Sequence, residues 1–476
     1  MSVALLWLRR DLRLADNPAL EAASDRHSEV LACFCFEPSV TAGRHACPAR
    51  NAYLLAALTE LERELRAKGG RLVFREGNPA REVPELAAAA GAAAVHACGD
   101  HTAHARRRDT EVARALTGRG IELVLHPGIA CVEVGPIETQ AGGPYRVFTP
   151  FHKAWSALPR RGLARTPHRL AAPKLRGADA RSSVPAQSKL RIDAEARRIA
   201  AAAGAGETAS RELLDAFMEG PVEDYAENRD RPDLDATSRL SAALHFGCLS
   251  ARTVEERLAG RAGEGPRAFQ RQLAWRDFFL HLTHHFPANS RNEHDRRFSD
   301  FGWRTDKRSL EAWQRGRTGV PMVDAGMRQL LSEGWMHNRP RMVTASFLTK
   351  HLLIDWRAGE AHFMHHLVDG DEASNNGNWQ WAASTGADSQ PYFRVFNPVR
   401  QQQQFDPDGV YVRRWLPELT KFPDARLAEP WKAPKGVQED AGCIIGEDYP
   451  EPIVDLDAAR EEAIARFGRH LEQARP

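Results

Sequence analysis

Residues 4–36 read ALLWLRRDLRLADNPALEAASDRHSEVLACFCF, and this stretch decides the fold class. Two short apolar runs, ALLWL (4–8) and VLACFCF (30–36), flank a polar stretch that can turn helical. Runs of this length without polar alternation suit strands buried on both faces. Moving outward, RLVF (71–74), AAVHAC (93–98) and IELVLH (121–126) repeat the pattern, and helical stretches separate them. One of these, Ala49–Lys68, closes on Gly69-Gly70. Strands alternating with helices predict a parallel, Rossmann-like α/β domain over residues 1–130. Neither GxGxxG nor GxxxxGK[ST] occurs, so the sheet is not expected to hold a dinucleotide at its first βα turn.

Residues 160–205 are rich in Arg, Ala and Pro with little apolar periodicity. They read as a long connection, placing an inter-domain linker at 131–205. From 206 to 476 the pattern is helical, without convincing strands, which predicts a larger all-α C-terminal domain. The chain has 476 residues, enough for two or three domains, and a formal net charge of only +2. Any nucleic-acid contact must therefore come from a local basic patch rather than from a global field. The seven Cys are irregularly spaced and form no CxxC, which points to a reducing cytoplasm. The start, MSVALLWLRRDLRL, is too charged for a signal peptide, and no apolar run approaches a membrane span.

Four segments carry residue types that ordinary cores avoid. In RAFQRQLAWRDFFLHL, Gln272, Trp275, Arg276 and Phe279 share one helical face, which suits a planar ligand needing stacking and hydrogen bonds. In WMHNRPRMVTASFLTK, Asn338, Arg341 and Met342 share a face, with Pro340 where a first helical turn tolerates it. In LVDGDEASNNGNWQWAAS, Asp369 and Asp371 flank Gly370, an arrangement that also reads as a helix cap. Asn375 and Trp379 then share a face, and Trp381 looks elsewhere. In YAENRDRPDLDATSRLSAALHFGCLS, the run Thr237, Ser238, Arg239, Leu240 and Ser241 precedes an apolar helix. It presents hydroxyls and N–H groups to an anion, or merely caps the helix. Two histidine runs, HLTHH (281–285) and HFMHH (362–366), lack the partners of a zinc site, so no metal is expected.

Taken together, WLRRDLRLADNPAL, TSRLS, WRDFF, GWMHNRPRM, DGDEASNNGNWQWAAST and PYFRVFNP, in this order, resemble the photolyase/cryptochrome flavoproteins, most of all bacterial class I cyclobutane pyrimidine dimer photolyases. The resemblance spans nearly the whole chain. It implies an antenna domain, a linker and a helical domain holding FAD, and light-driven repair of a flipped-out pyrimidine dimer in DNA. Carried over by motif, Tyr225 and Thr237–Ser241 hold the phosphates. Arg276, Asn338, Arg341, Asp369, Gly370 and Asp371 line the flavin and adenine, and Asn375 faces flavin N5. Trp379, Trp356 and Trp303 form the electron-transfer chain. Trp275 and Trp381 stack on the lesion, Met342 packs on it, and Arg229, Arg339, Arg394 and Gln401 contact the DNA backbone or the lesion edge. A monomer acting on DNA, with no membrane association, is implied.

The motifs also separate this chain from its cousins. Asn375 is the photolyase-like choice, where plant-type cryptochromes carry Asp and animal-type ones Cys. Gln272 stands where many bacterial photolyases have Glu; its amide can donate a hydrogen bond but cannot shuttle a proton. The (6-4) photolyases share that Gln but place a His at the position of Asn338. An antenna chromophore is expected as well. The run His104-Ala105-Arg106 lacks the carboxylate of the 5,10-methenyltetrahydrofolate pattern, whereas Arg10, Cys35 and Asp100 look like the 8-hydroxy-5-deazaflavin type. The chain ends shortly after a final short helix, which argues against a cryptochrome signalling tail.

Overall fold

The computed structural model describes residues 2–175, 182 and 184–474. Five strands, β1 (Val3–Leu8), β2 (Glu29–Phe36), β3 (Leu72–Glu76), β4 (Ala92–Cys98) and β5 (Glu122–His126), form one sheet in the order β3-β2-β1-β4-β5. All four pairings are parallel, with Leu5 opposite Leu31 on one side and Val95 on the other. The apolar runs are unbroken because both faces are covered. Ala4, Leu6 and Leu8 enter one core with Ala32, Phe34 and Phe36, while Leu5 and Trp7 enter a second with Leu31 and Cys33.

The loop after β1, where a dinucleotide fold keeps its glycines, is taken up by protein contacts. Leu12 donates to the Phe246 carbonyl at 3.3 Å, and Arg13 Nη1 to the Gly247 carbonyl at 2.9 Å. Gly247 has φ +69°, and a Cβ there would lie 1.9 Å from the Arg10 carbonyl oxygen, so only glycine admits this approach.

The chain divides into two compact units. The first contains Met1–Asp224, Ser238–Pro287 and Val368–Ser374, and so holds the sheet. The second contains Tyr225–Thr237, Ala288–Leu367 and Asn375–Pro476, and is helical. Its core gathers Trp313, Met322, Trp356, Trp379, Tyr411 and Tyr449. Buried Asp324 is fully paired there, accepting from Thr318 N at 2.7 Å, Gly319 N at 3.0 Å and Tyr449 Oη at 2.6 Å.

The stretch read as a linker contains two helices, Phe148–Ala157 and Ala194–Ala202; its residues 176–181 and 183 lie outside the described residues. Ala196, Ile199 and Ala200 of the second helix pack in the same core as Ala57, Leu58 and Leu61. A stripe made mostly of alanine gives little apolar signal, which is why the sequence reads as a plain connection. Among the described residues no helix is long and apolar enough to cross a membrane.

One feature of the sheet makes its stability sensitive to acid. His96 Nδ1 lies 2.9 Å from His126 Nε2, and His96 Nε2 lies 3.3 Å from His27 Nε2. A neutral imidazole can donate to one partner and accept from the other; a protonated one cannot accept at all. Burial, and then the neighbouring His126 and His27, lower the His96 pKa from 6.5 to about 4. The unfolded chain therefore takes up this proton first, so stability is fully present above pH 6.5 and is lost as pH falls from there towards 4. Unfolding midpoints measured across that window should fall for the native chain and fall less steeply for His96→Leu.

Candidate functional site

In the first unit, the helix Glu264–His285 carries Gln272, Trp275, Arg276 and Phe279, the four residues whose shared face the sequence singled out. Trp275 is half-buried, and Phe148 stacks on it with ring centroids 3.7 Å apart and planes 4° from parallel. Phe148 is itself buried, with His152 stacked 5.4 Å away and the Arg271 guanidinium 4.8 Å from its centroid. The indole is thus held in one orientation by a ring that sequence reasoning missed, since the two residues are far apart in the chain. Gln272 Nε2 donates to the Ala268 carbonyl at 3.3 Å, so its amide is partly engaged by its own helix. Arg276 donates to the carbonyls of Ile129 (2.8 Å) and Leu244 (3.3 Å), so part of its donor set brackets two chain segments. The Asp of WRDFF is a structural anchor. Asp277 accepts from Cys131 N and Trp155 Nε1, each at 2.9 Å, and burial pushes its pKa up to about 6.

The DGD turn caps a helix, as its sequence allowed, and also joins an ion pair. Asp371 Oδ1 accepts from Ser374 N at 2.9 Å and so caps the helix Glu372–Ala383. Its other oxygen pairs with Arg10, with His245 Nδ1 3.6 Å away. Burial alone would raise the Asp371 pKa, but Arg10 and His245 hold it well below the usual carboxylate range. Arg10 also lies 3.6 Å from Asp100, whose carboxyl sits at about 2; burial opposes this, and Arg10 and Arg108 outweigh it. Arg10 follows β1 and Asp100 follows β4. These neighbouring strands flank the point where the strand order reverses, and open α/β sheets bind ligands at the carboxyl ends of such strands. Cys35, at the carboxyl end of β2, donates to the Gly77 carbonyl at 3.7 Å, and burial pushes its thiol up to about 12. A carboxylate does lie beside the run His104-Ala105-Arg106: Glu37 Oε1 is 2.8 Å from His104 Nε2.

The segment Ser238–Ser241 is not the start of a long helix, since the helix Ser241–Phe246 has only six residues. Its local feature is instead the left-handed backbone of Arg239 (φ +50°) followed by right-handed Leu240. Successive residues of opposite hand turn their N–H groups to one side, which suits an anion.

The second unit carries the remaining residues. Tyr225 is buried, with the Arg229 guanidinium 5.9 Å from its ring, and Thr237 is half-buried. The helix Asn338–Ser346 exposes Asn338, whose amide lies 3.5 Å from the Met342 sulfur, while Arg341 Nε donates to the Met336 carbonyl at 2.7 Å. Asn375 is pinned by a bond from Nδ2 to the Glu360 carbonyl at 3.1 Å. Trp379 meets Trp313 edge-on at 6.0 Å and Phe363 at 4.9 Å. A Cβ on Gly359 would lie 2.1 Å from the Trp379 ring, so a glycine is required beside this indole.

Trp356 is fully buried and Trp303 half-buried against Phe301 at 4.6 Å. The indole N–H groups of Trp356 and Trp303 are buried without a hydrogen-bond partner. That of Trp313 donates to the Thr344 carbonyl at 3.0 Å. Trp381 is half-buried against the same core, and Arg394 is exposed beside Phe393.

Among the described residues no group of three or more His, Cys, Asp or Glu is placed to hold a metal ion. In the first histidine run, His281 Nδ1 donates to the Val134 carbonyl at 3.0 Å and His285 Nε2 to that of Gly135 at 3.1 Å.

Comparison with known proteins gives the chain its class. The model of the DNA photolyase family matches residues 4–174, and that of the FAD binding domain of DNA photolyase matches residues 269–469. The chain belongs to the DNA photolyase family. It is 42% identical over 475 residues to the deoxyribodipyrimidine photo-lyase of Streptomyces griseus, covering 98% of this chain and 99% of the relative. It is 39% identical over 484 residues to that of Escherichia coli, covering 98% of each. Among solved structures, a bacterial class III photolyase from Agrobacterium tumefaciens superposes with TM-score 0.93 at 38% identity, covering 99% of this chain and 98% of that one. A Synechocystis cryptochrome superposes with TM-score 0.89 at 30% identity, covering 98% and 99%.

The residues present fit FAD. A pyrophosphate needs converging N–H groups and hydroxyls, which the Ser238–Ser241 turn offers. The redox edge of a flavin needs a fixed polar group, and Asn375 is one whose amide is held by its bond to Glu360.

Proposed function

We infer that the protein is a deoxyribodipyrimidine photo-lyase that uses FAD and light to reverse cyclobutane pyrimidine dimers in DNA. The observation that carries this reading is the end-to-end likeness to named photo-lyases, and the rigidly seated Trp275 gives it a physical footing. Bound FAD in its reduced form supplies the light-excited electron donor.

The chain's own residues do the rest. Tyr225, Thr237, Ser238, Arg239, Leu240 and Ser241 hold the phosphates; Arg276, Asn338, Arg341, Asp369, Gly370 and Asp371 line the rings; Asn375 faces the redox edge. A dimer already stacks and pairs poorly, so extruding it costs less than flipping a sound base. Trp275 and Trp381 stack on it, Met342 packs on it, and Gln272 offers an amide to the charge that develops on its carbonyls. Arg229, Arg339, Arg394 and Gln401 contact the strand, which reconciles DNA binding with a net charge of +2.

Trp303, Trp356 and Trp379 carry electrons inward. Residues 1–130 serve as the antenna domain, 131–205 as the connection and 206–476 as the FAD- and DNA-binding domain. The antenna is 8-hydroxy-5-deazaflavin, bound near Arg10, Cys35 and Asp100 at the carboxyl ends of β1, β2 and β4. The protein works as a monomer in the cytoplasm.

The test is to illuminate the reduced protein with duplexes carrying either a cyclobutane dimer or a (6-4) product. Thymines should return from the first alone. Return from the second alone would reassign the enzyme as a (6-4) photolyase, and return from neither would leave a photoreceptor.

A further inference from the structure

Two residues assigned above to the DNA strand, Arg229 and Arg339, converge on a carboxylate that the assignment does not include, and a third, Gln401, bonds to Arg339. Arg339 Nη2 pairs with Asp230 Oδ2 at 2.6 Å, and Arg229 Nε lies 3.8 Å from Asp230 Oδ1. Arg339 Nη1 donates to Gln401 Oε1 at 3.3 Å, and its guanidinium lies 4.0 Å from the centroid of Phe405. The Asp230 side chain is 27% exposed and that of Arg339 12%, and Asp230 Oδ1 has no hydrogen-bond partner. A planar anion between two guanidinium groups, one of them braced on a ring, is the arrangement arginine offers a phosphate. Here the anion belongs to the protein.

We propose that Asp230 stands in for a backbone phosphate, occupying Arg339 and Arg229 in the free protein and giving them up when DNA arrives. The inference rests on the reading that these arginines contact the DNA strand. The exchange sets how strongly any DNA is held. Each phosphate neutralised by a protein cation releases counterions, which gives binding its salt dependence. When Asp230 is displaced it becomes an uncompensated anion and takes up a cation from solution, cancelling part of that release. Backbone contacts carry no information about the lesion. Asp230 therefore weakens binding to damaged and undamaged DNA by the same factor, and keeps the protein from lingering on the undamaged majority.

Dissociation constants for matched damaged and undamaged duplexes, measured across a salt series, test this for four variants. Flavin content and unfolding midpoint serve as controls of folding. Asp230→Asn should bind both duplexes more tightly, with a salt slope steeper by about 1. Asp230→Glu, which keeps the charge, should bind as the native chain does. Arg339→Gln should bind more weakly with a shallower slope, and Asp230→Asn combined with Arg339→Gln should bind more tightly than Arg339→Gln alone but less tightly than Asp230→Asn, because Arg229 is still released. Unchanged or weaker binding by a folded Asp230→Asn protein, while Arg339→Gln is weakened, would overturn the proposal and make Asp230 a brace for Arg339. Unchanged binding by Arg339→Gln would instead remove the DNA-contact reading on which the proposal rests.

Discussion

Trp275→Ala should weaken binding to a dimer-bearing duplex by about 5- to 150-fold, the equivalent of roughly 1–3 kcal/mol of base–aromatic stacking. Binding to undamaged DNA should change little, because a base that stays in the helix never meets this ring. The effect is expected to be large because the indole is already oriented. Phe148 lies parallel to it at 3.7 Å, so little side-chain freedom remains to be lost when the lesion docks. A companion variant isolates that contribution. Phe148→Leu keeps an apolar side chain but removes the ring, and should weaken lesion binding by about 2- to 12-fold, the worth of roughly 0.5–1.5 kcal/mol for an aromatic pair. Phe148→Tyr should restore most of it. Equal losses on damaged and undamaged DNA would mean that Trp275 only packs the helix. Competition binding with matched duplexes separates the two outcomes.

Trp356→Phe should abolish light-driven reduction of the oxidised flavin by an external thiol. Phenylalanine fills the buried space but is far harder to oxidise than indole, so the inward path is cut at its middle residue. Protein reduced chemically beforehand should still repair dimers, because that electron never passes through Trp356. Transient absorption after a flash should show the indole radical signal lost in the variant. Trp313→Phe is the informative control. Trp313 touches Trp379 edge-on at 6.0 Å, and its N–H is bonded to a carbonyl. If photoreduction fails in Trp313→Phe and survives in Trp356→Phe, the path runs through the wrong indole in this account.

Much of the fold was legible in the sequence, and for a definite reason. Parallel strands covered on both faces are written as continuous apolar runs, so β1, β2 and β4 begin and end within a residue or so of where 4–8, 30–36 and 93–98 place them. The helix read at Ala49–Lys68 spans Pro48–Ala67. Local chemistry was legible too: the Asp371 cap and the shared face of Asn375 and Trp379 follow from spacing alone.

What stayed hidden depends on segments distant in the chain. Nothing near Phe148 announces Trp275, and nothing near Arg10 announces Asp371. Arg276 reads as a ligand group by residue type, yet it donates to carbonyls at 129 and 244 that no local pattern reveals. Asp230 looks like one more acid in an acidic stretch until the fold sets Arg339 against it. The helix Ala194–Ala202 escaped because alanine buries well while signalling little.

The most direct test of the account uses a single cyclobutane dimer in a defined duplex, a sub-stoichiometric amount of the reduced protein, and recovery of thymine absorbance over time. Recovery beyond one dimer per protein is expected under near-ultraviolet or blue light, and none in the dark. Tight lesion binding with no recovery under light, in protein whose flavin is reduced, would contradict it.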